Sequence, residues 1–96
     1  MTIPTIGRIV TYVLSQQDVD RINDQRARSE GVLRGNNVHA GDTFPMMICR
    51  VWGDTPDALV NGRVILDGTD SLWVTSVSAK PSPRLGDFFW PNTRSA

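Results

Sequence analysis

Two apolar runs parted by a polar turn dominate the hydrophobic pattern. Within Val60–Ser78, Val64, Ile65 and Leu66 form the first run, and Trp73, Val74, Thr75 and Val77 the second. Asp67-Gly68-Thr69-Asp70 lies between them. Asp bonds its own backbone in turns, and Gly accepts positive φ without a Cβ clash. The pattern therefore predicts a β-hairpin, with strands over 60–67 and 71–78. Asn61-Gly62 reads either as a turn ahead of the first strand or as a bulge within it. A strand starting near Val60 with a bulge at Gly62 fits the pattern better. In the second strand, strict alternation places Trp73, Thr75 and Val77 on one face and Leu72, Val74 and Ser76 on the other. Apolar groups on both faces predict a hairpin at the centre of the fold.

The remaining elements follow from the same reading. Thr5–Leu14 is rich in β-formers and predicts a strand over 5–14, with Ile9 and Val13 on its core face and Arg8, Val10 and Tyr12 on a mixed one. Residues 15–27 hold no Gly or Pro. Ser15 precedes Asp18 at capping-box spacing, and Val19 and Ile22 form a narrow apolar stripe, so a short helix over 15–27 is expected. Residues 28–43 contain Gly31, Gly35, Gly41, Asn36 and Asn37 between basic residues. They read as a long loop, either plainly solvated or binding an anion through backbone N–H groups. Phe44–Trp52 predicts a strand over 44–52, ended by the turn at Gly53–Pro56. Lys80–Arg84 breaks the pattern with two prolines, and the apolar segment 85–91 is expected to close the core, ahead of a frayed 92–96. The sum is a mainly β fold with one short helix, in a single domain over 1–96. An SH3-like or OB-like small antiparallel β-barrel is the architecture expected.

Composition narrows the chemistry. Ten basic and ten acidic residues cancel, which argues against general nucleic-acid binding. No run approaches the ~20 apolar residues that span a membrane, and the N-terminus shows no secretory signal pattern. Cys49 is the only cysteine, set in an apolar strand-like run, so no internal disulfide framework exists and a buried thiol in a reducing compartment is expected. His39 is the only histidine and has no Cys or carboxylate at metal spacing, so neither metal nor cofactor is expected. The acids fall where turns need them, and no paired-carboxylate site is argued. The chain reads as a non-enzyme.

Arginines and large aromatics on strands remain as candidate binding residues. Arg8 with Tyr12, and Arg50 with Trp52, occupy shared faces of their strands; Arg63, Trp73 and Trp90 complete the set. Arg clamps phosphate through paired N–H donors, and a flat aromatic stacks a base at ~1–3 kcal/mol. The same residue types dominate protein interfaces. The plainer alternative is that the aromatics are core and the arginines are solvated or paired to Asp.

TIGRIVTYVLS at the start, FPMMICRVWGDTPDALVNGRVILDGTDSLWVTSVS in the middle and FFWP at the end together resemble a family of small proteins of tailed bacteriophages and prophages. The likeness omits 28–43, and where relatives carry a WHWP-like ending this chain has Phe88-Phe89-Trp90-Pro91. The resemblance implies a phage protein acting in the host cytoplasm: a virion component, a DNA-metabolism accessory or an inhibitor of host defence. The leading expectation is a homo-oligomeric sponge that sequesters host signalling nucleotides. The alternative is a protein-binding or virion structural module.

Overall fold

A computed structural model describes residues 2–80 and 84–90. The chain forms β1 (Ile9–Val13), α1 (Gln16–Arg28), β2 (Thr43–Trp52), β3 (Leu59–Ile65), β4 (Ser71–Val77) and β5 (Phe88–Phe89). The strands make one antiparallel sheet in the order β4-β3-β2-β1-β5. The fold is thus mainly β with one short helix. The sheet is rolled but not closed by a strand ladder. One parallel bridge, Ala79 to Phe88, joins the continuation of β4 to β5. Residues 81–83, Pro91 of the closing segment and residues 92–96 lie outside the described residues.

The helix starts where the sequence asks it to. Ser15 is the N-cap: its hydroxyl accepts from the Asp18 N–H at 3.1 Å, and the Asp18 carboxylate accepts from the Ser15 N–H at 2.9 Å. Arg26 and Arg28 occupy the last turn, where the helix dipole favours cations. Val19 and Ile22 are the buried stripe. The polar flank of α1 lies along the free edge of β4. Arg21 donates to the Trp73 carbonyl at 2.9 Å and Gln25 to the Ser71 carbonyl at 3.3 Å, so side chains satisfy acceptors that an uncovered edge would offer to another strand. The hairpin β3–β4 is therefore terminal in the sheet rather than central, and β2 takes the middle position.

Three face assignments differ from those expected of the sequence. In β1, Val10 and Tyr12 are buried in the core while Ile9 is exposed. The polar end of Tyr12 is what makes this possible: its hydroxyl donates to the buried Asp18 carboxylate at 2.7 Å, so the ring is buried with its O–H satisfied. Thr5–Arg8 is a turn and not strand, closed by Arg8 N–H to the Thr5 carbonyl at 3.3 Å. In β4, Val77 joins Leu72 and Val74 against the core, because the register to β3 shifts between Val60 and Gly62. The extra residue sits on β4, where Ser76 has φ of 56°, and the side-chain Oδ1 of Asn61 accepts its N–H at 3.0 Å. A second shift, between Ile48 and Arg50, puts an extra residue on β2 at Cys49 and turns the thiol outward, exposed rather than buried. The bulges thus flank Asn61-Gly62 on both neighbours instead of lying in β3. Gly62 itself is needed for space: a Cβ there would stand 2.7 Å from Met46 Cγ and 2.8 Å from the Met47 carbonyl oxygen.

The long loop after α1 is pinned to the β3–β4 turn. The Gly35 and Gly68 backbones touch, each where a Cβ would collide with the other. Asn36 N–H donates to the Asp67 carbonyl at 2.9 Å, and Thr69 N–H to the Arg34 carbonyl at 2.8 Å. Arg34 N–H donates to the Thr69 hydroxyl at 3.1 Å. Two of the loop's backbone donors, the N–H groups of Arg34 and Asn36, are thus engaged within the fold. Arg26 ties the pieces together: it forks onto Asp70 at 2.8 and 3.2 Å and donates to the Asn36 carbonyl at 2.9 Å. The Asp70 side chain is 1% exposed and that of Arg26 13%.

Asp70→Asn leaves the Arg26 charge buried without its partner. The expected loss is ~3–5 kcal/mol, read as a lower urea midpoint at unchanged m-value. Tyr12 gives a pH test. Burial, together with its bond to the Asp18 carboxylate, raises its pKa well above the ordinary phenol value. The unfolded phenol releases its proton near pH ~10 while the folded one keeps it, so stability is full below that pH and falls above it. Tyr12 is the only tyrosine, so near-ultraviolet tyrosinate absorbance reports it alone. That absorbance should rise together with unfolding and not before it.

Candidate functional site

One face of the sheet holds the core and the other faces solvent. The open face follows from the register: Ile9 pairs with Met47, Met47 with Arg63, and Arg63 with Trp73. This is one row of side chains crossing four strands, about 14 Å at the usual strand spacing. Beyond the β2 bulge, Arg50 pairs with Asn61 and Trp52 with Leu59 on the same side. Ile9, Met47, Trp52, Leu59 and Ile65 are all large apolar side chains exposed here. They form the majority of such residues among those described, concentrated on a single surface.

The arginines do not lie free over this surface. The Arg50 guanidinium stands 4.3 Å from the Trp52 ring centroid, and that of Arg63 5.2 Å from the Trp73 ring. Each cation is held on the electron-rich face of an indole. Arg63 also reaches the Ser71 hydroxyl at 3.5 Å, and Trp52 Nε1 reaches the side-chain Oδ1 of Asn61 at the same distance. Stacking uses the flat of the guanidinium and leaves in-plane N–H donors to point elsewhere. Among the described residues, Arg8, Arg50 and Arg63 form no ion pair.

The seven residues singled out in the sequence divide three ways. Arg50, Trp52, Arg63 and Trp73 meet on the open face. Arg8 and Trp90 form a separate stack, 5.0 Å from guanidinium to ring centroid. It belongs to the core side: Trp90 packs edge-on against buried Phe88, with ring centroids 6.1 Å apart. Tyr12 belongs to neither group, being buried with its hydroxyl on Asp18, so it shares no exposed face with Arg8. A shallow groove runs between α1 and β4, lined by Tyr12, Asp18, Arg21, Val74 and Thr75, and includes none of the stacked pairs.

Sequence reasoning passed over Ile9, Met47, Leu59 and Ile65. A signal for two of them was present: Leu59 and Ile65 stand four and two positions from Arg63 in the same strand, and a charged residue in an apolar strand marks the solvent face. His39 is exposed in the loop, its Nδ1 3.7 Å from the Asp42 carboxylate. No helix among the described residues is long and apolar enough to cross a membrane. No family model, curated protein or solved structure matches this chain.

An exposed cation–π pair contributes about 0.5–1 kcal/mol. Arg50→Ala and Arg63→Ala should each cost no more than that in urea unfolding, which leaves both folded for binding assays.

Proposed function

We propose that this protein is a non-catalytic binding module that docks a protein partner on the open face of its sheet. The observation that carries this reading is the row Ile9–Met47–Arg63–Trp73, with Trp52, Leu59 and Ile65 around it: apolar anchors and Arg–Trp pairs spread over a flat surface. Trp and Arg are the residue types enriched at interface hot spots, and concentrated exposed apolar area on a small domain marks an interaction surface. Binding without catalysis is supported by how the carboxylates are used. Asp18 takes the Tyr12 hydroxyl and the helix cap, Asp70 takes Arg26, Asp67 takes the Asn36 amide, and Asp87 takes the Arg84 N–H. With the resemblance described above, the module would serve a tailed bacteriophage, as a virion component or as an accessory acting on a host protein.

A second reading is supported by the guanidinium groups of Arg50 and Arg63, which have no carboxylate partner among the described residues and could grip phosphate. It is the sponge for signalling nucleotides. A flat face encloses little of a small ligand, so this reading calls for an oligomer whose subunits together wall a pocket.

Met47→Asp and Ile65→Asp separate the readings from a folding defect, because both side chains are already exposed. Affinity purification of the tagged chain from infected cells should recover a stoichiometric protein partner, lost with either variant at unchanged melting temperature. A thermal-shift series with linear and cyclic signalling nucleotides tests the alternative. A ligand at 100 times its Kd adds ~2.7 kcal/mol. A rise of several degrees with one nucleotide class, and no protein partner, would replace the docking reading by the sponge.

A further inference from the structure

The two charged residues within the five strands are both arginines, Arg50 and Arg63, and both lie on the open face. All ten acidic residues lie elsewhere: in α1, in the loop that follows it, and in the turns. Asp54 and Asp57 stand beyond one end of the face, in the turn from β2 to β3, and Asp67 beyond the other. In a chain of zero net charge, the open face thus carries two positive charges and no negative one, and the remainder mixes both signs with a small acidic excess. Resting on the docking reading above, we infer that the partner presents an acidic segment, its carboxylates on Arg50 and Arg63 and its apolar side chains among Ile9, Met47, Leu59 and Ile65.

The spacing defines the segment further. Arg50 is opposite Asn61, and Arg63 lies two positions further along β3. From strand rise and spacing their Cα atoms are about 8 Å apart on a diagonal. Carboxylates at alternate positions of an extended chain are ~6–7 Å apart, within reach of both flexible side chains. Each guanidinium is already stacked on an indole, so less rotamer freedom is lost when a carboxylate arrives. The acidic turns at the ends repel a displaced acidic segment and so favour the centre of the face.

The same features disfavour other occupants. A second copy placed face to face would bring these arginines against its own arginines. A nucleic acid strand would have to lift guanidinium groups from Trp52 and Trp73 to stack its bases, and it has no use for the four aliphatic side chains.

The test is a random-peptide display selection against the immobilised full-length chain, with the Arg50→Gln/Arg63→Gln double variant selected in parallel after its melting temperature is checked. Peptides enriched on the wild type should carry Asp or Glu at alternate positions with Leu, Ile, Phe or Trp between. A synthetic copy of the enriched peptide should bind the double variant at least about tenfold more weakly, and more weakly as salt rises. Enrichment of neutral or basic peptides would overturn the acidic assignment and leave protein docking intact. Absence of any enriched peptide would overturn both. So would tight binding of a short oligothymidylate or a dimer by size exclusion, if either were lost with Arg50→Gln/Arg63→Gln.

Discussion

The fork between Arg26 and Asp70 holds the non-strand pieces of this molecule in one place. Arg26 belongs to α1, Asp70 to the β3–β4 turn, and Asn36, which receives the third bond, to the long loop. A buried charge without a partner costs several kcal/mol, so these pieces are held together as a set. With α1 fixed at that point, Arg21 and Gln25 fall onto the carbonyls of β4 and close the edge of the sheet. Val19 and Ile22 then complete the core from the same side.

The consequence for function is one of coverage. A single helix can cover one side of a small sheet, and here it covers the inner side and the β4 edge. The outer side is left with five large apolar side chains exposed. Arg50 and Arg63 keep that surface compatible with water, since each lays a charged plane over an indole while the surrounding aliphatic groups stay uncovered. In the proposed reading this incomplete coverage is what the partner exploits, and the segregation of all carboxylates away from the face selects which partner it is.

Local signals were legible where one or two neighbouring residues are enough to specify geometry. Ser15 and Asp18 make the capping box that their spacing implies, and Asp67–Asp70 makes the turn. The breaks between apolar runs place every strand to within a few residues. The candidate site was legible by residue type: the Arg and Trp residues named from the sequence do stack in pairs. Of the pairings, Arg50 with Trp52 was legible from their place on one strand, and the other two were not. Arg8 stacks on Trp90, far along the chain, and Tyr12 is buried against Asp18.

Which face each strand buries was not a local matter. Ile9 and Val10 are both β-branched and either could have been core; the choice fell to Val10 because Tyr12, on the same face, finds Asp18 six positions on, where the first turn of α1 folds back over the sheet. Alternation failed at Cys49 and Ser76 because β2 and β4 each carry one extra residue opposite Asn61-Gly62, and at Ser76 the Asn61 side chain satisfies the displaced N–H. The sequence by itself therefore determined the elements, their order and the residue types available for binding, since these depend on propensity and turn chemistry. The tertiary structure alone decided which of those residues share an open surface, since that depends on strand register, bulges and the single surface that α1 covers.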